Sequence, residues 1–82
     1  MKKLRNRQVV DRWSDGAAAT NHTKSLTTDG TKLWSYNLCI GDTHPSGAKV
    51  LRDYTANGNH GFRSQTTSCH VGLAKAVADL VD

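Results

Sequence analysis

Eighty-two residues make one domain at most, close to the length below which a single hydrophobic core is thin. No apolar run approaches the ~18 residues that span a bilayer, and no stretch near Met1 has the hydrophobic length of a signal peptide, so a cytoplasmic protein is expected. The formal charge of +4 resides in Lys2, Lys3, Arg5 and Arg7, while the other seven cations balance seven acids, all Asp; residues 1–7 therefore read as a flexible basic arm and 8–82 as one neutral domain.

Leu, Val, Ile and Phe supply only 15 of the 82 residues, so Ala, Thr and the aromatic side chains must supplement the core. With 22% charged residues, two Trp and two Tyr, the chain still collapses rather than staying disordered. Residues 8–13 (QVVDRW) read as a short β-prone run with Val9 and Trp13 on one face, stopped by the turn dipeptide Asp15-Gly16, and residues 17–21 read as loop. Asp29-Gly30 supplies the positive φ angles of a tight hairpin between residues 23–28 and 31–40. In the second arm Trp34, Tyr36, Leu38 and Ile40 alternate onto one face, which period two makes the buried one, with Leu33, Ser35, Asn37 and Cys39 opposite.

Residues 41–47 (GDTHPSG) are turn chemistry throughout, followed by a strand at 48–55 in which Val50, Leu51 and Tyr54 alternate imperfectly. Asn57-Gly58 marks a second hairpin that returns through Gly61, Phe62 and Ser64. Candidate N-caps at 65–68 precede a C-terminal helix over 69–81, with Val71, Ala74, Val77, Ala78 and Val81 at helical spacing. The expected fold is α+β, a small antiparallel meander of three to five strands covered by one C-terminal helix. That helix is the only element long and apolar enough to cover the Trp34 face.

Residues that bear chemistry are few. Cys39, His44, His60, Cys69 and His70 are possible metal ligands, but Cys39 and His44 are five apart and Cys69 and His70 adjacent, unlike the close pairs of structural zinc sites, so no metal and no cofactor are expected. Without a secretion signal the two cysteines read as reduced thiols. Arg63 and the hydroxyls of Ser64, Thr66, Thr67 and Ser68 converge on the expected helix start, where capping is the ordinary role and anion binding the sharper one. Cys69 and His70 point about 100° apart on a helix, a poor arrangement for exchanging a proton. With no Glu, and with Asp15, Asp29 and Asp42 in turns, no carboxylate pair suggests acid–base catalysis. Trp13, Trp34, Tyr36, Tyr54 and Phe62, interleaved with Lys32, Arg52 and Arg63, suit either the core or a base-stacking face, and so poor a core claims them first.

The runs NHTKSLTTDGTKLWSYNLCI and GFRSQTTSCHVGLAKAV, over most of residues 21–77, resemble small uncharacterised proteins encoded by phages and mobile elements. The likeness rests on His22, Leu26, Asp29-Gly30, Leu33, Ser35-Tyr36 and residues 64–70. It implies a non-enzymatic protein that binds a host or viral component, and carries over no site residues. The leading expectation is thus a binding module, an anti-CRISPR-like inhibitor that occupies a surface of a host defence complex, its partner a protein or ribonucleoprotein. Direct nucleic-acid binding through Lys2, Lys3, Arg5 and Arg7, with Arg63 as a further contact, is the alternative from a different class, and a small zinc-binding protein is the third.

Overall fold

A computed structural model of the chain describes residues 4–21, 23–56 and 58–82. Its first element corrects the sequence reading: residues expected as a strand form helix α1, Asn6–Ser14. Val9 and Trp13 fit both a period of two and a spacing of i, i+4, so Val10 decides. In a strand it would oppose Val9; in the helix all three side chains share one face and are fully buried. The backbone N–H of Arg5, the N-cap, donates to Gln8 Oε1 at 2.8 Å, and Leu4 is buried and bridges in parallel to Asn21. Residues 4–7 therefore belong to the folded body rather than to a flexible arm, and Lys2 and Lys3 lie outside the described residues.

Residues expected as loop after Gly16 form strand β1, Ala18–Thr20, which pairs with β2, Leu26–Asp29. A hairpin at Asp29-Gly30 is present, joining β2 to β3, Leu33–Ser35, but its loop is the four residues 29–32 and Gly30, not Asp29, takes the positive φ. The Asp29 carboxylate accepts from the N–H groups of Thr31 and Lys32 at 2.9 and 2.8 Å, and Gly30 takes φ +98° with the carbonyl of Gly16 where a Cβ would be. The second arm is not one strand. A two-residue turn at Tyr36-Asn37 splits it into β3 and β4, Leu38–Thr43, in register Ser35↔Leu38 and Trp34↔Cys39 but Leu33↔Gly41. Ile40 is the extra residue of this bulge, which lets it and Gly41 both turn inward. A Cβ at Gly41 would stand 2.7 Å from Trp13 Cζ2, so only glycine lets the ring lie against the strand.

The turn and bulge overturn the expected buried face. Leu33, Ser35 and Ile40 are buried, Trp34 is half-buried on the opposite face in a cross-strand row with Thr20, Thr27 and Cys39, and Tyr36 is 57% exposed. Strand β5, Lys49–Leu51, is shorter than the expected 48–55 and points Lys49 and Leu51 inward. Among the described residues no strand occurs over 52–64, so the second hairpin does not form there; Asn57 itself lies outside the described residues.

The C-terminal helix, α2, spans Gln65–Ala74, begins one turn earlier than expected on the N-cap Ser64, and stops before Val77. The unpaired edge of β5 captures the chain beyond the helix. Asp79 N–H donates to Lys49 O at 2.8 Å, Lys49 N–H donates to Asp79 Oδ2 at 2.7 Å, and Leu80–Val81 becomes β6, parallel to β5. Helical spacing through Val77 and Ala78 survives only in that both pack against the core. Over the described residues the fold is α+β, a six-stranded mixed sheet in the order β1-β2-β3-β4-β5-β6 with two helices, rather than an antiparallel meander with one. Val9, Val10 and Trp13 of α1 and Val71 and Ala74 of α2 form one core with Leu26, Leu33, Ile40 and Leu51. Beside it the buried Lys49 ammonium donates to Gly30 O (2.9 Å) and Thr43 Oγ1 (2.7 Å) and lies 5.5 Å from the Trp13 ring centroid. Among the described residues no helix is long and apolar enough to cross a membrane.

Candidate binding groove

Where β3 turns into β4 it faces the start of α2, and a groove of about 380 Å³ opens between them, lined by Ser35, Tyr36, Asn37, Leu38, Arg63, Ser64 and Thr67. One wall is strained. Tyr36 has φ +56°, a left-handed backbone that L-residues with bulky side chains rarely adopt, and its N–H is tied to Ser25 O at 2.8 Å. The opposite wall is the ordinary chemistry of a helix start: Ser64 Oγ accepts from Thr67 N–H at 3.1 Å. Arg63, exposed beside it, holds its guanidinium carbon 5.5 Å from the Tyr54 ring centroid, and its chain neighbour Phe62 is 56% exposed.

A chain of hydroxyls forms the floor. Ser64 Oγ donates to Thr67 Oγ1 at 3.1 Å, Thr67 Oγ1 and Ser35 Oγ are 3.0 Å apart, and Ser35 Oγ meets His70 Nδ1 at 2.7 Å. His70 is fully buried, among the described residues its Nε2 has no hydrogen-bond partner, and burial holds its pKa below the ordinary imidazole value. The Ser35–His70 distance is that of a nucleophile and its base. Ser35, however, is 1% exposed and engaged by Thr67 as well, and no group among the described residues orients His70 through Nε2, so the pair fastens α2 to the sheet.

Of the residues expected to contact a partner, Arg63 lines this groove, whereas Arg5 and Arg7 sit exposed at the start of α1 and do not. The five possible metal ligands are dispersed. Cys69 is exposed, Cys39 Sγ donates to Gly41 O, His44 bonds Ser46, His60 Nε2 lies 3.2 Å from Asp82 Oδ2, and among the described residues no three His, Cys, Asp or Glu side chains gather as a metal would require. The aromatic set divides, with Trp13 and Tyr54 in the core and Tyr36 and Phe62 exposed. Sequence reasoning placed Thr67 at the helix start but missed Ser35 and the contact between them. Their signal was available in α2, where Thr67 and His70 share the helical stripe of Val71 and Ala74, a polar pair on an apolar face that requires a polar partner across it. Comparison with protein-family models, curated proteins and solved structures finds no match to this chain.

Proposed function

We propose that this protein is a non-enzymatic binding module, and that the groove between Tyr36 and Arg63 is the surface it places on a protein or ribonucleoprotein partner. Tyr36 carries the reading. An aromatic side chain more than half exposed, on a left-handed residue that costs the fold on the order of 1 kcal/mol, serves no packing role, although Asn37 beside it is the type that tolerates such a backbone. Aromatic and Arg side chains are the usual anchors of protein interfaces, and Tyr36 and Arg63 both line this groove, with the exposed Phe62 next to Arg63 in the chain. The resemblance to small phage-encoded proteins supplies the partner class, a host defence complex such as a CRISPR effector, inhibited by occupation of its surface.

The test is comparative capture of partners from host extract by the wild type and by Tyr36→Gly, Arg63→Ala and the remote control Arg12→Ala. Tyr36→Gly is expected to keep or raise the thermal midpoint, because glycine relieves the backbone, while lowering capture at least tenfold. Unchanged capture by both groove variants would move the interaction elsewhere.

A second reading, direct nucleic-acid binding, draws on α1. Its N-cap Arg5 and first-turn Arg7 are exposed and its first turn carries no acid, placing cations where the helix dipole favours anions. Replacing both with Ala should leave stability intact and weaken the salt dependence of binding to single-stranded DNA by about one phosphate contact per residue. The same salt dependence in the variant would discard this reading.

A further inference from the structure

Helix α2 is held to the sheet by little. Its fully buried apolar side chains are Val71 and Ala74, and among the described residues both of its side-chain hydrogen bonds to the sheet, from Thr67 and His70, end on one atom, Ser35 Oγ. Helix α1 buries Val9, Val10 and the whole of Trp13. The weak attachment contains one titratable group.

We propose that His70 is a pH-operated latch: protonation of its imidazole releases α2 from the sheet while α1 and the strands stay folded, dismantling the groove at the foot of α2. Neutral imidazole has one donor and one acceptor nitrogen, and the Ser35 hydroxyl satisfies Nδ1 in either tautomer. Imidazolium has two donors. Its Nε2–H would be buried without an acceptor and its charge without a carboxylate.

Among the described residues no neighbouring element offers that counter-charge. The titratable residues of α1, Arg7, Asp11 and Arg12, are exposed; β3 presents Ser35; Cys69 on α2 is exposed, and Lys75 at its end pairs with Asp53. Asp29 of β2 is exposed in its turn, Cys39 of β4 lies on the other sheet face, the buried Lys49 of β5 is a further cation, and the buried Tyr54 lies against His60 and Arg63. The docked state therefore excludes the proton and the released helix accepts it at the ordinary imidazole pKa of 6.5. Docking is fully retained above 6.5 and weakens as pH falls below it, about tenfold in the opening equilibrium per pH unit until the docked-state pKa is reached. The latch is a property of how α2 packs and stands whether or not the groove takes the partner proposed above.

Amide hydrogen exchange read by NMR on the full chain at pH 7.5, 6.5 and 5.5, corrected for intrinsic rates, tests it. In the wild type, α2 amides are expected to lose protection by several-fold to tenfold between pH 6.5 and 5.5 while α1 amides hold theirs. In His70→Asn, which keeps a polar group toward Ser35 but cannot titrate, protection of α2 should not change over that range. Simultaneous loss in both helices, or the same loss in His70→Asn, would overturn the proposal. Should His70→Asn not fold, the wild-type His70 ring resonances decide: titration near 6.5 with α2 protection unchanged refutes the latch, and protonation concurrent with α2 exchange supports it.

Discussion

The two helices lie on one face of the same sheet but are attached by different physics. Helix α1 docks through a large apolar surface, with Trp13 fitted against Gly41 and its indole N–H donating to Thr31 O at 3.0 Å. Helix α2 docks through two small apolar residues and a polar clasp whose bonds meet at Ser35 Oγ. Apolar packing is indifferent to pH and loses strength gradually as atoms are removed, whereas a buried polar clasp fails when one partner is lost or changes charge. Strength thus collects in α1 with β1–β4, and sensitivity collects in α2, where the candidate groove lies.

Trp13→Ala should break that contrast from the strong side. It removes the largest fully buried side chain, expected to cost about 3–5 kcal/mol, and should abolish the cooperative thermal transition of so small a domain. Next comes Lys49→Ala, which leaves Gly30 O and the Thr43 hydroxyl without their buried donor. A loss of about 2–3 kcal/mol in urea denaturation is expected, with Lys49→Met recovering the packing but not the hydrogen bonds.

Ser35→Ala attacks the clasp. It strands His70 Nδ1 and should cost about 1–3 kcal/mol, a fall of several degrees in midpoint, with faster amide exchange in α2 than in α1. If both helices exchanged alike, the division of labour between them would be wrong. Trp34→Ala, on the open sheet face, should cost only about 1 kcal/mol, and acrylamide should quench Trp34 far more than Trp13.

The smallest effect belongs to Lys75→Ala, within about 1 kcal/mol, because its ion pair with Asp53 is partly exposed. Asp53 has its pKa lowered chiefly by the hydrogen bond from Thr55 and then by Lys75. Its contribution is therefore present above the unfolded carboxylate value of 3.8 and lost as pH falls below it. An acid titration of stability in Thr55→Val should show a smaller decline below pH 4 than the wild type.

The α+β class and the Asp29-Gly30 hairpin were legible because each depends on local chemistry, a turn dipeptide and a helical stripe. The buried face of 31–40 was not. Period two assigns a face only while the strand runs unbroken, and Tyr36, an aromatic residue in a turn, gives no turn signal by composition. The bulge at Ile40 then shifted the alternation once more. Helix α1 was misread because Val9 and Trp13 satisfy both periods, and β6 because capture by the β5 edge is a tertiary event that no local pattern announces. Of the candidate site, Arg63 and the capping serine region were visible, while Ser35 stood hidden by the wrong choice of face.

The sheet order has a kinetic meaning. From β1 to β5 every neighbour in space is also the neighbour in sequence, so each pairing closes a short loop and the meander can assemble by successive small steps. Strand β6 cannot join that way, since Leu80 meets Val50 only after α2 has been laid down between them. In stopped-flow refolding, burial of Trp13 should precede protection of the 80–81 amides, leaving a transient species in which the edge of β5 is open and the groove has only one wall.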